Sequence, residues 1–200
     1  MNRRDFVKQS AVLSAVSFLF SSEIFGKSRL IERIGIQFFS LPKMLERDFP
    51  GTLKMLSKMG YKEVELYGPY TFSTDAAKKS WEAVTPSLGF KGSGFFGRTA
   101  AEVKGLLKQN GLTAPSMHTD LDTLQNRMDK LSEAAHVLES EFVVLPAIPQ
   151  DKRKTLDDYK RMADAFNQIG EAAKKAGVKF AYHNHGYGLK EVNGQIPLRL

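Results

Sequence analysis

Short apolar or alternating runs and longer amphipathic segments follow one another from residue 33 to residue 182. The short runs predict five strands, at residues 33–38, 62–66, 114–118, 141–145 and 178–182. Between the strands, apolar residues recur every three or four positions, which is the spacing of a helix with one buried face. This alternation of strand and helix predicts an α/β fold with a parallel sheet.

Polar residues mark where the helices begin. Pro50 in the first turn after Asp48 predicts one helix start, Thr99-x-x-Glu102 is a capping box, and Thr155 caps another helix. A short helix is expected near residues 75–84, and one apolar stripe predicts a single helix that runs to Leu138. The glycine-rich stretch 90–96 is either a mobile lid over the edge of the barrel or simply a loop.

A (β/α)8 TIM barrel fits this order better than a dinucleotide-binding fold. No Gly-x-Gly-x-x-Gly follows the first strand, and polar residues stand where strands end, as they do at the active-site edge of a barrel. Such a barrel takes about 250 residues, whereas 18 residues follow Tyr182. We therefore expect residues 27–200 to form an incomplete barrel of about five βα units, in a truncated sequence.

Residues 1–26 predict an export signal. Arg3 and Arg4 precede an apolar run at residues 11–20, which is too short to span a membrane as a helix. Paired arginines followed by Phe6 are typical of the twin-arginine type. We expect cleavage near Gly26, a periplasmic location, and no stable membrane anchor after cleavage.

Composition narrows the possible functions. The chain is 42% hydrophobic, which is enough for a core and excludes wholesale disorder. Cysteine is absent, which excludes disulfides, thiolate metal sites and a cysteine nucleophile. The net charge of +7 comes from scattered residues, so it does not by itself predict nucleic-acid binding.

The candidate chemistry lies at strand ends. Glu65 is a candidate binding carboxylate, although a salt-bridged glutamate fits as well, and alternation places Tyr67 on the same face. His118 ends the third strand, where it can bind a hydroxyl or a metal or move a proton. His183 and His185 follow the fifth strand at i and i+2, so both rings point to one side and can share an ion or a substrate. For Trp81, the only tryptophan, a structural anchor is favoured over stacking on a sugar.

Five segments together resemble the sugar phosphate isomerase/epimerase family, whose fold is the xylose isomerase-like barrel. They are residues 60–65 (GYKEVE), 112–118 (LTAPSMH), 156–160 (LDDYK), 176–185 (AGVKFAYHNH) and 193–197 (NGQIP). The resemblance extends over about residues 33–198, and the order and spacing of the segments are specific to the family, although not to one reaction.

The resemblance implies proton transfer at a carbon next to a carbonyl group, with a divalent ion such as Mn, Co, Mg or Zn. It implies catalytic roles for Glu65 and His185. By the same resemblance, His118, Tyr67 and Asn184 would bind the substrate. His183 stands where many relatives carry a metal-binding glutamate, and the remaining metal ligands are expected beyond Leu200. Many relatives also carry an acidic residue soon after the histidine motif, whereas here Glu191 is the first.

Three functions remain open from the sequence. The first is a metal-dependent isomerase or epimerase of sugars or sugar phosphates, which is expected to be inactive as this fragment. The second is a keto-glycoside lyase or hydrolase on the same barrel, and the third is a non-catalytic sugar-binding relative. The endonuclease branch of the superfamily is disfavoured, because an exported protein with dispersed basic residues has little access to DNA. The expected partner is a small sugar.

Overall fold

The computed structural model describes residues 33–199, so the predicted signal at residues 1–26 lies outside the described residues. The strands are β1 (Gly35–Gln37), β2 (Glu63–Tyr67), β3 (Thr113–His118), β4 (Phe142–Leu145) and β5 (Lys179–Tyr182). The helices are α1 (Pro42–Arg47), α2 (Phe49–Lys58), α3 (Asp75–Leu88), α4 (Ala100–Gln109), α5 (Leu121–Asn126), α6 (Met128–Leu138) and α7 (Leu156–Lys175). Each strand lies within two residues of its predicted bounds.

The five strands form one parallel sheet in the order in which they occur in the chain. Each strand therefore pairs with the strand before it, as in a TIM barrel, and helices connect successive strands. This arrangement confirms the predicted fold class, and five βα units are consistent with an incomplete barrel. No helix within residues 33–199 is long and apolar enough to cross a membrane.

Alternation along the strands divides the sheet into two faces. One face packs into the main core, where Val64, Leu66, Met117 and Val143 are at most 1% exposed. Buried helix residues such as Leu131 complete this core. The intervening positions carry the polar side chains, which therefore lie on the face that a barrel would enclose.

Three features differ from the sequence-based expectations. Helix α1 was not predicted, and α3 continues to Leu88 instead of ending near residue 84. The single helix expected up to Leu138 is two helices, because Arg127 leaves the helical conformation (φ −136°, ψ 28°). The apolar stripe crosses this break because both helices pack on the same core. The spacing of the apolar residues therefore indicates which residues are buried, but not whether they belong to one helix or to two.

The candidate lid at residues 90–96 is a packed loop. The Gly94 amide donates to the Tyr67 carbonyl at 2.8 Å, and the Tyr67 hydroxyl donates to the Gly92 carbonyl at 2.8 Å. Phe90 and Phe95 are buried in the core. These contacts fasten the loop to the end of β2, so the structure does not support a mobile lid.

Candidate active site

The carboxyl ends of the strands open into a cavity of about 710 Å³. Its titratable and amide-bearing lining residues come mostly from the ends of β1, β2 and β3 and from the segment after β5; they include Gln37, Glu65, His118, Asp120, His183 and His185. Active sites of parallel barrels occupy this edge, because the polar ends of several strands meet there. A cavity of this size is large enough for a small organic ligand.

The pairing of β1, β2 and β3 brings four polar side chains of the cavity together. Gln37 is paired with Glu65, and Glu65 is paired with Ser116 on the next strand. His118 follows Ser116 by two positions and therefore lies on the same face. Three strands thus deliver four polar side chains to one place.

A hydrogen-bond network fixes the proton position on His118. The Gln37 side-chain oxygen accepts from the Phe39 amide at 2.9 Å, so its Nε2 is the donor to His118 Nδ1, also at 2.9 Å. The proton of His118 therefore lies on Nε2, which faces Glu65 Oε1 at 2.9 Å. Ser116 Oγ donates to Glu65 Oε2 at 2.5 Å.

These hydrogen bonds keep Glu65 ionised. Burial would raise the pKa of Glu65, but hydrogen bonds from His118 and Ser116 outweigh burial and lower that pKa below its ordinary value. The nearby imidazoles of His118 and His183 lower the pKa further. Since each carboxylate oxygen can accept more than one hydrogen bond, Glu65 remains able to accept from a bound ligand.

His183 and His185 lie on the solvent-exposed side of the cavity, next to the hydrogen-bonded group around Glu65. Their rings are stacked, with centroids 4.8 Å apart and an interplanar angle of 10°, and the His183 ring centroid is 5.3 Å from that of His118. Partial burial, together with the neighbouring imidazoles, lowers the pKa of His183. His183 is therefore neutral at pH 7 and able to accept a proton.

Tyr187 packs against the His185 ring, and Arg153 packs against Tyr187. Tyr187 is stacked on His185 at 5.8 Å and 16°, and the Arg153 guanidinium lies 3.6 Å from the centre of the Tyr187 ring. The Tyr187 hydroxyl accepts from the Ile148 amide at 2.8 Å and pairs with the Tyr182 hydroxyl. These contacts hold the segment after β5 against the end of β4.

The structure brings most of the predicted site residues together. Glu65, His118, Tyr67, His183 and His185 line the cavity, whereas the exposed Asn184 does not. The Tyr67 hydroxyl donates its proton to the Gly92 carbonyl, so this hydroxyl could only accept a hydrogen bond from a ligand. The predicted roles of these residues in catalysis and binding remain predictions.

Sequence reasoning missed Gln37 and Ser116. Neither residue type indicates a site on its own, and Gln37 is 81 positions away from its partner His118. Their only signal was position, since each stands near the carboxyl end of a predicted strand.

The described residues do not complete a metal centre. Within residues 33–199, no three His, Cys, Asp or Glu side chains are grouped so that they could hold one ion. Both nitrogens of His118 are engaged in hydrogen bonds, and each oxygen of Glu65 accepts one. Only the His183 and His185 rings remain without such partners, and two imidazoles are fewer than the three protein ligands of an ordinary catalytic zinc site.

Comparison with known families gives one match that covers most of the chain. Residues 53–194 match the family model described as the xylose isomerase-like TIM barrel. This match includes β2 to β5 and the segment with His183 and His185. A search of curated proteins finds no match.

Solved structures support the same fold. A sugar phosphate isomerase/epimerase from Parabacteroides distasonis is 23% identical with a TM-score of 0.65, covering 87% of this chain and 62% of that one. Another such protein from the same organism is 21% identical with a TM-score of 0.57, covering 80% and 57%. A family 2 AP endonuclease from Brucella melitensis is 10% identical with a TM-score of 0.51, covering 76% and 55%. The chain thus spans less than two thirds of the length of these proteins.

Proposed function

Because the chain belongs to the xylose isomerase-like TIM barrel family, we propose that it forms the sugar-handling part of an isomerase or epimerase. The proposed reaction moves a proton at a carbon next to a carbonyl group of a sugar. The sugar phosphate isomerase/epimerases with the same fold support this reaction class for the whole protein. The site supports it through groups that can bind hydroxyls and transfer protons.

The observation that carries the proposal is the fixed, ionised carboxylate of Glu65 in the cavity. Hydrogen bonds from His118 and Ser116 hold both oxygens in place before any ligand arrives. A preorganised carboxylate of this kind accepts strong hydrogen bonds from sugar hydroxyls and can take a proton from carbon.

The other residues have supporting roles in this proposal. His118 donates to Glu65 and sets its orientation, and Gln37 sets the proton position on His118. Glu65 accepts the proton from the carbon next to the carbonyl group. His185 is the second proton-transfer group, which returns a proton to the same or the adjacent carbon. Return to the same carbon is epimerisation. Return to the adjacent carbon is isomerisation, in which a proton also passes from the hydroxyl of the first carbon to the oxygen of the former carbonyl group.

The direct test is exchange of a substrate proton with solvent. The whole protein, of which this chain is a part, is incubated with a panel of ketoses and aldoses in D2O, and deuterium incorporation next to the carbonyl group is followed by NMR. We expect Glu65→Gln to reduce exchange by about 10²-fold or more, since general acid–base groups contribute about 10²–10⁴-fold.

Glu63→Gln is the matched control, because it makes the same change on the same strand. Glu63 lies at the opposite end of β2, paired with Arg33 at 2.9 Å, and does not line the cavity. Exchange that is equally fast in wild type and Glu65→Gln would show that Glu65 is not the proton acceptor.

We propose a divalent ion only for the whole protein, with His183 as a ligand that this chain contributes. Relatives with this fold are longer, so the further ligands would come from a part of the barrel that this chain does not contain. We expect this chain alone to bind Zn²⁺ or Mn²⁺ weakly, because catalytic sites use about three protein ligands. Tight binding by this chain in a calorimetric titration, unchanged in His183→Ala, would contradict this assignment.

The cavity also fits a second candidate, a non-catalytic sugar-binding protein, because residues 33–199 form a cavity with polar groups placed for hydroxyls. Sugar binding by the whole protein without any deuterium exchange would support this candidate over the isomerase or epimerase.

We further propose export by the twin-arginine route to the periplasm, based on residues 1–26. A reporter fused behind these residues is expected to reach the periplasm, and replacing Arg3 and Arg4 with lysine is expected to retain it in the cytoplasm. Lys27→Arg, outside the predicted signal, is the control that should leave export intact. Export that survives the double replacement would contradict the twin-arginine assignment.

A further inference from the structure

Two successive residues of the loop after α3 hold two aromatic rings that line the cavity. The Trp81 indole N–H donates to the Lys91 carbonyl at 2.9 Å, and the Tyr67 hydroxyl donates to the Gly92 carbonyl at 2.8 Å. Both rings line the cavity, and their centroids lie 6.0 Å apart at an interplanar angle of 51°. Two peptide carbonyls therefore fix the orientation of two neighbouring rings.

The same two loop residues are held from the other side by Glu46. Glu46 Oε1 accepts from the amides of Lys91 and Gly92, each at 3.1 Å. Both amides and both carbonyls of this dipeptide are thus engaged, the amides by the Glu46 side chain and the carbonyls by the two rings. A side chain outside the cavity and two rings inside it are linked by one short segment.

The backbone of this segment is closely packed. An added Cβ at Gly92 would lie 2.7 Å from Phe96 Cε1 and 3.4 Å from Glu46 Cβ. Glu46 is on α1, next to Leu45, which is 1% exposed in the core. Glu46, Lys91 and Gly92 line a groove that shares no lining residue with the cavity. The hydrogen bonds that connect Glu46 to the rings therefore run through the loop.

We propose that Glu46 is a positioning residue for sugar binding, because through residues 91–92 it fixes the Tyr67 and Trp81 rings against which the sugar packs. Aromatic side chains commonly form the apolar part of a small-molecule site. A ring that is already ordered costs the ligand less conformational entropy on binding. This inference rests on the proposed function, since it concerns the sugar of the same cavity.

The first measurement is hydrogen exchange of the Trp81 indole N–H in the whole protein. The NMR signal of this proton is assigned with Trp81→Phe, and its exchange with D2O is followed. Glu46→Ala is expected to speed this exchange about tenfold, because the loop then holds the Lys91 carbonyl less firmly. Glu46→Gln keeps a side-chain oxygen that can accept both amides, so its exchange should stay near that of wild type.

The second measurement separates binding from chemistry. For the ketose or aldose of the panel that exchanges fastest, Glu46→Ala is expected to raise KM about three- to tenfold and to leave kcat within about twofold, because ordered rings bind substrate and transition state alike. Glu46→Gln is expected to keep KM within about twofold of wild type. Since Glu46 is exposed, its replacement leaves no void in the core.

Glu133→Ala is the matched control, because it makes the same change at another exposed glutamate. Glu133 lies on α6, paired with Lys130 at 2.9 Å, and does not line the cavity. Both the KM and the indole exchange should be those of wild type.

A double variant tests the path through the rings. In Tyr67→Phe/Trp81→Phe both side chains remain aromatic, but neither can donate to the loop. Adding Glu46→Ala to this variant should raise KM no further, because the residues that it acts through are already released. A further rise of the same size as in wild type would contradict this path.

The outcomes separate this inference from the proposed function. Wild-type indole exchange in Glu46→Ala, or an unchanged KM, would overturn the positioning role while the proposed function stands. A Glu46→Gln variant that behaves like Glu46→Ala would also overturn it. If the wild type neither binds any sugar of the panel nor exchanges its protons, the proposed function fails and the binding role of Glu46 fails with it. Indole exchange then still shows whether Glu46 holds Trp81.

Discussion

Glu65 shows how neighbours determine the state of one residue. A half-buried carboxylate without donors would hold a proton more readily than in water. Here His118 and Ser116 donate to its two oxygens, and this reverses the effect of burial on its pKa. Glu65 is therefore ionised and fixed at neutral pH, which are the two properties that a group binding sugar hydroxyls needs.

The lowered pKa of Glu65 predicts a pH-dependent contribution to stability. A carboxylate with a lowered pKa binds fewer protons in the folded than in the unfolded chain, so its contribution is present above the ordinary value of 4.5 and is lost as pH falls through the folded value. Urea unfolding of wild type and Glu65→Gln should therefore give a difference in unfolding free energy that narrows below pH 4.5. A difference in unfolding free energy that stays constant with pH would contradict the hydrogen-bond network proposed to lower the pKa of Glu65.

The sequence indicated the reactive residues of the site but not their partners. Glu65, His118, His183 and His185 could be selected because carboxylates and imidazoles at strand ends are chemically distinctive. Gln37 and Ser116 became recognisable only through the strand register, which pairs both positions with Glu65. Register depends on contacts between distant segments, so one sequence read along its length does not reveal it.

At the scale of elements, the strands were predictable and the connections less so. A buried strand leaves an apolar run that needs no knowledge of its neighbours. The break at Arg127 and the packing of the loop at residues 90–96 depend on what surrounds them. The same limit applies to α3, whose Trp81 lines the cavity and also packs against the core. The sequence shows an apolar residue there but not what it contacts.

The packed loop leads to a prediction at Gly94. Its φ is +59°, and an added Cβ would lie 2.8 Å from the Pro69 carbonyl oxygen and 3.0 Å from Tyr70 Cα. Gly94→Ala is therefore expected to lower the free energy of unfolding by about 1–3 kcal/mol in urea titrations. It should also weaken sugar binding, because this loop is attached to the end of β2.

Gly105→Ala is a control with the opposite expected sign. Gly105 lies within α4, and an added Cβ would meet nothing within 4 Å. Alanine there is expected to raise the free energy of unfolding by about 0.5–1 kcal/mol, because glycine is a poor helix former. If the two substitutions changed the free energy of unfolding equally, the close approach of the backbone at Gly94 would not be what restricts this position to glycine.

At the scale of the whole molecule, the fold follows from the repetition of one unit. Right-handed βα units placed in succession give parallel strands in sequence order. Within residues 33–199, β1 and β5 each pair on one side only, whereas a closed barrel has no such edges. The cavity lies at the carboxyl edge of the strands, so its position follows from topology alone, although the residues that line it do not.

The four histidines of the chain test the central claim, that the cavity with Glu65 and the strand-end histidines binds a sugar. His118, His183 and His185 line the cavity, whereas His136 is exposed on α6 near Gly177, which precedes β5 at the other end of the strands. NMR of the ring protons during titrations with the panel of ketoses and aldoses should show, for at least one sugar, saturable shifts of the three cavity histidines. His136 should stay unchanged, and the shifts should be lost in Glu65→Gln. Cavity histidines that do not move, or a His136 that moves with them, would contradict the account.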